Sequence, residues 1–177
     1  MIGLKRAWST HLDDQHRHPR GVIGWWIGER MRRQHAPETR WSVDLLGVRP
    51  HDHALELGFG AGHALRRIVE LAAAGHVTGL DLSATMIRAA RHRNRSIRAA
   101  GRLSLVRGDI EHLPFAARRF DRILSIHTFY FWQDAPDRCR HLANLLARGG
   151  RLVVTFATAR TTPSGERIYG AFHERAQ

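Results

Sequence analysis

Residues 54–65 read ALELGFGAGHAL, with glycine at 58, 60 and 62 set between an apolar run and a helical pattern. Glycine accepts positive φ and carries no Cβ, so alternating glycines let a strand turn sharply into a helix and let the backbone approach a bound group. A structural turn needs one or two such residues. Three predict a ligand seat at the start of a strand–helix–strand unit.

The rest of the chain repeats that grammar. HALEL, HVTGLD, RLSLVRG, FDRILSI and RLVVTFA read as five strands. A helix is expected over residues 61–74, burying Leu65, Ile68, Val69 and Ala72. Ser83 is placed to cap a second helix that runs toward Ala100 and closes at Gly101. DAPDRCRHLANLLARGG reads as a third, with Pro136 near its start, Gly149 past its end, and Cys139, Leu142 and Leu146 facing inward. Strands alternating with helices of this length predict an α/β protein with a doubly wound, mostly parallel sheet covered on both faces. Upstream, residues 21–35 and a segment beginning at Pro37 read as helices, the latter with Trp41, Leu45 and Val48 on one face and Gly47 near its stop. The first 50 residues are therefore expected to form a helical lid or cap, and residues 51–177 the ligand-binding domain.

Doubly wound sheets bind ligands beyond the carboxyl ends of their strands. The loops after Leu57, Asp81, Gly108 and Ile126 hold the unusual residues. The glycine spacing is G-x-G-x-G, and His63 stands where a dinucleotide motif places a small residue. Glu56, two residues before the first glycine, would oppose a pyrophosphate but favour a ligand carrying an ammonium and a sulfonium. That combination points away from NAD and toward S-adenosyl-L-methionine. Asp81 ends the second strand about 20 residues past the turn, where an acid can accept both hydroxyls of a ribose. Asp109, after the third strand, is placed to accept a hydrogen bond from an adenine amino group, with Leu82 or Met86 packing on the ring.

Taken in order and spacing, LELGFGAG, GLDLSATMI, GDIEHLPF, FDRILSIHTFYFW and RGGRLVVTF resemble the successive motifs of class I S-adenosylmethionine-dependent methyltransferases. The similarity is greatest to the branch that includes the ubiquinone/menaquinone biosynthesis C-methyltransferases, and it spans about residues 41–157. It implies a Rossmann-like sheet of about five strands in the order 3-2-1-4-5. It also implies that Glu56 and the glycine loop face the methionyl part, that Asp81 faces the ribose and Asp109 with Ile110 the adenine, and that Ser125 lies near the methionyl amino group. The implied activity is methyl transfer to a small-molecule acceptor, lipid-like or isoprenoid among the candidates. Two features depart from the pattern. Only residues 158–177 follow the fifth strand, which predicts loss of the usual terminal hairpin, a shortened domain and an exposed edge at strand five, open to a second subunit. The Asn-Pro-Pro-aromatic motif of nucleic-acid amino-methyltransferases is replaced by SIHTFYFW, which argues against base N-methylation.

A general base, where the acceptor needs one, is expected in the loop after strand four, with His127 the candidate and His63 a weaker one. Tyr130 and Trp132 are candidates to line an acceptor pocket. The net charge of +12 is almost wholly arginine, since Lys5 is the only lysine. Such charge admits an anionic partner, either nucleic acid, the less favoured, or a membrane surface met by a basic amphipathic segment carrying Trp25, Trp26 and the arginines near Met31. An RNA methyltransferase and a non-catalytic cofactor-binding subunit are the competing readings. Cys139 is the lone cysteine, so neither an intramolecular disulfide nor a multi-cysteine metal site is expected. The amino terminus lacks the apolar stretch of a signal peptide, and a cytoplasmic location is expected.

Overall fold

The computed structural model describes residues 36–161 and the strand backbone of 167–175. Within them the elements run α1 Ala36–Leu46, β1 His53–Leu57, α2 His63–Leu71, β2 His76–Asp81, α3 Ala84–Arg93, α4 Arg95–Ala99, β3 Leu103–Arg107 and β4 Phe120–Ile126. A 3-10 turn at Phe129–Phe131, α5 Ala135–Leu145, β5 Leu146–Thr161 and β6 Arg167–Arg175 complete them. The helix expected over residues 21–35, with Trp25, Trp26 and Met31, lies outside the described residues.

The sheet order is β3-β2-β1-β4-β5-β6. The first five strands pair in parallel, as expected for an order of 3-2-1-4-5. The sixth corrects the expected exposed edge at β5, because β6 pairs antiparallel along β5 from Arg151↔Arg175 to Thr161↔Arg167. A hairpin needs only one strand beyond β5, and the nine residues RIYGAFHER are long enough to supply it.

Burial assigns the layers. On one face Val43 and Leu46 of α1, Leu65 and Ile68 of α2, and Ile87 and Ala90 of α3 pack against Ala54, Val77, Leu124 and Val153. On the other, Leu142 and Leu145 of α5, with Leu113 and Trp132, pack against Leu55, Leu57, Ile123 and Leu152. Successive residues of β1 thus point to opposite layers, which places Glu56 on the same side as Ala54 and under α2.

Several helices differ from expectation for local reasons. The inward face of α1 is Glu38, Ser42, Val43 and Leu46, while Trp41 is 42% exposed. Ser42 is tolerated inside because its hydroxyl donates to the Glu38 carbonyl at 2.6 Å and meets the Thr155 hydroxyl at 2.8 Å. α2 begins only at His63, since Gly62 lies in the left-handed region (φ 78°). Ser83 does cap α3, its hydroxyl accepting from the Met86 N–H. The long helix expected after it divides at Asn94, whose buried amide donates to the carbonyls of Gly62 and Ala90. Leu146, expected on the inner stripe of α5, is instead the first residue of β5 yet is still buried. No described helix is long and apolar enough to cross a membrane.

Just before β1, Asp52 forms a buried ion pair with Arg122 of β4 at 3.1 Å. Asp52 also accepts from the Arg49 N–H, and Arg122 donates to the Gly47 carbonyl, so the pair anchors the α1–β1 connection to the sheet. Replacing Arg122 by Leu is expected to lower unfolding free energy by about 3 kcal/mol or more, because Asp52 is left buried and unpaired. Urea denaturation should show much of that loss recovered when Asp52→Leu is added.

Candidate functional site

The parallel register brings the ends of β1, β2 and β4 level, with Leu57 beside Leu80 and Ser125. The loop after Leu57 is held open from three sides. Phe59, between the first two glycines, buries its ring against Gly79 of β2, where a Cβ would lie 2.6 Å from the ring. The Gly58 N–H donates to the Leu80 carbonyl at 2.8 Å. The Gly60 N–H donates to Asp81 Oδ2 at 2.8 Å, while Asp81 Oδ1 accepts from the Ser83 N–H at 2.8 Å.

All three loop glycines have positive φ, but their surroundings differ. A Cβ on Gly58 would strike the Thr128 methyl group, and one on Gly62 would meet Ala90 and Asn94 at 2.9 Å. Only Gly60 of the three faces open space. Two of the glycines expected to clear room for a ligand thus also admit neighbouring side chains.

Glu56 is the most unusual group here. It is 4% exposed, and its Oε2 is buried without a hydrogen-bond partner. Burial pushes its carboxyl well above the ordinary value of 4.5, and the nearby charge of Asp81 adds to the rise, while the Leu65 N–H pulls the other way. Unpartnered buried oxygens are costly, so this one marks a place for a donor that no described residue provides. A cationic group beside it would restore the carboxylate.

The remaining candidates surround the same sheet end. Leu82 is 39% exposed just past Asp81, whereas Met86 is buried on the inner face of α3. Asp109 is exposed and its Oδ1 accepts from the Glu111 N–H, while Ile110 packs partly against the core. Ser125 is buried, and its hydroxyl meets that of Thr128. Thr128 Oγ1 accepts from the indole N–H of Trp132 at 3.2 Å, so Trp132 is a buried brace, and of the two proposed pocket aromatics only Tyr130 is exposed. His127 is half-buried with φ 57°, and its N–H donates to the Thr155 carbonyl at 2.8 Å. Its ring lies parallel to that of Tyr130, with centroids 6.4 Å apart. His63 is the first residue of α2.

Sequence reasoning missed Thr128, Gly79 and the partly buried pair of Glu111 with Arg138, which at 2.6 Å ties the Asp109 loop to α5. Only the position of Thr128 in the loop after β4 could have singled it out.

Adding Cβ at Gly60 is expected to cost roughly 1–2 kcal/mol, the left-handed penalty alone. Gly62→Ala should cost clearly more, since its Cβ also collides with α3; urea unfolding of the two variants tests the difference. Glu56 carries a further prediction with a definite sign. Its raised pKa means the ligand-free native state binds a proton that the unfolded chain has lost, so stability should fall as pH rises from near 4.5 through the folded pKa. Glu56→Gln should flatten that part of the stability–pH curve and raise Tm at neutral pH.

Comparison with known proteins gives these positions a context. The profile of a family described as a methyltransferase domain matches residues 55–154. The chain is similar to the uncharacterized methyltransferase YdaC of Bacillus subtilis, 26% identical over 129 residues that cover 73% of this chain and 69% of that protein. It is also similar to the ubiquinone/menaquinone biosynthesis C-methyltransferase UbiE of Pseudomonas savastanoi, 28% identical over 134 residues. That alignment covers 75% of this chain and 52% of its relative, so the chain spans about half the relative's length. Among solved structures it resembles a chain from the complex of the Haloferax volcanii Trm112 methyltransferase activator with a methyltransferase, at TM-score 0.64 and 26% identity. The match covers 73% of this chain and 55% of that one.

Proposed function

The chain belongs to the class I S-adenosylmethionine-dependent methyltransferases, and we propose that it methylates a small apolar acceptor, lipid-like or isoprenoid in character. The observation that carries the cofactor half of this reading is the buried, unpartnered Glu56 Oε2 beside the open backbone at Gly60. The residues present fit the cofactor: a carboxylate awaiting a cation, an acid at the end of β2, and an exposed apolar side chain next to it.

When bound, S-adenosylmethionine supplies a methyl group made electrophilic by its sulfonium. The chain's own residues have to orient and exclude water. Glu56 would hold the methionyl ammonium, with Ser125 close by. The Asp81 oxygens already accept two backbone N–H bonds, and their remaining lone pairs would take the ribose hydroxyls. Leu82 and Met86 would pack on the adenine, with Asp109 and Ile110 at its rim. His127 would draw a proton from an acceptor that needs activation, and the exposed rings of Tyr130 and Phe131 would form the apolar wall against which it lies.

Calorimetry with S-adenosylhomocysteine tests the reading. Wild type should bind with micromolar Kd, and Glu56→Gln should bind at least about tenfold more weakly, equivalent to about 1.4 kcal/mol. Asp81 is a poorer probe because its loss also releases Gly60 and Ser83. Absence of binding by wild type would sink the proposal. Tight binding with no methyl transfer to any apolar acceptor would make the protein a cofactor-binding subunit.

A further inference from the structure

We propose that the outer face of α3 and α4 is a track for the phosphate backbone of single-stranded nucleic acid. Between Asp81 and Asp109 the sequence contains no Asp or Glu and seven arginines. The structure divides these seven by role. Arg93 donates to the Ala61 carbonyl, Arg102 to the carbonyls of Val69 and Ala72, and Arg107 to that of Leu82. These three are spent on the fold.

Arg88, Arg91, Arg95 and Arg98 are not. All four are exposed, and the guanidinium groups of Arg91, Arg95 and Arg98 have no hydrogen-bond or ion-pair partner among the described residues. Arg88 reaches only the Thr85 hydroxyl of its own helix. At three-residue spacing Arg88 and Arg91 share a face of α3, and Arg95 and Arg98 a face of α4. The two pairs meet at Asn94, whose N–H closes α3 on the Ala90 carbonyl and whose carbonyl accepts from the Arg98 N–H of α4. His92 lies exposed beside Arg91.

The chemistry of these arginines selects their partner. Guanidinium groups present planar forks that match phosphate oxygens and stack on bases. A membrane-binding helix would add large apolar side chains for insertion, but Met86, Ile87 and Ala90 of α3 are buried in the core. Leu82 is the only large apolar residue exposed on this segment, and it precedes all four arginines. What remains is positive charge without an apolar insertion face, suited to a flexible polyanion. The strand would be a partner held along the helical connection from β2 to β3, independently of which molecule receives a methyl group.

Fluorescence anisotropy with a short labelled oligouridylate, over about 50 to 200 mM salt, tests this. Four phosphate contacts predict a slope of log K against log salt of about −2.8. The quadruple variant R88Q/R91Q/R95Q/R98Q should lose most of that slope and bind at least about tenfold more weakly, while its affinity for S-adenosylhomocysteine stays that of wild type. A control removing the same charge elsewhere, R40Q/R118Q/R119Q/R148Q, should keep the slope. Equal loss in both variants would show attraction to net charge alone and overturn the track. So would failure of wild type to bind the oligonucleotide, or binding to phosphatidylserine vesicles in its place.

Discussion

The carboxylate of Asp81 joins the two loops on which the site is built. One oxygen takes the Gly60 N–H and the other the Ser83 N–H, so the turn after β1 and the start of α3 are fixed to the same group. A carboxylate accepting backbone donors is held more firmly than a neutral acceptor would be. With Gly60 fixed, Phe59 can bury its ring on Gly79 and Thr128 can lie against Gly58. These contacts set the backbone path of the loop. Glu56 is left buried near a second acid with one oxygen unpartnered. A buried carboxylate with an unpartnered oxygen is suited to a cationic partner.

The unusual charge of the chain also has a structural side. Helix ends leave carbonyls without intrahelical partners, and arginines supply donors to them. Arg102 serves the end of α2, while Arg151 and Arg122 reach the Leu45 and Gly47 carbonyls at the end of α1. Arg138 donates both to the Glu111 carbonyl and to its carboxylate. One guanidinium can satisfy several acceptors at once, which a lysine ammonium does with less geometric control. Composition cannot separate these arginines from those left facing solvent, because both contribute the same formal charge. Only the contacts single out the four on α3 and α4.

The strands were the most legible part of the sequence. Buried parallel strands are near-continuous apolar runs, and HALEL, HVTGLD and FDRILSI match β1, β2 and β4 residue for residue. The strand ends and loops that carry Glu56, Asp81, Asp109, Ser125 and His127 followed from those strands. The division of α3 from α4 was not legible, because it turns on an Asn94 bond to Gly62, 32 residues away. Long-range packing likewise hid the reason for Gly79 and for two of the loop glycines. Of the face expected for α1, Leu45 and Val48 do pack partly against the core, but Trp41 is exposed, and Ser42 looks like a surface residue until its hydroxyl meets Thr155. β6 was missed because the remaining chain looked too short for a hairpin, when β5 itself provides half of one.

A crystal structure with S-adenosylhomocysteine bound tests the central claim most directly, since it locates each end of the ligand relative to a named oxygen. The expected result is the homocysteine ammonium within hydrogen-bond distance of Glu56 Oε2, with the ribose hydroxyls on Asp81. An ammonium seated elsewhere, with Glu56 Oε2 still unpartnered, would contradict the account.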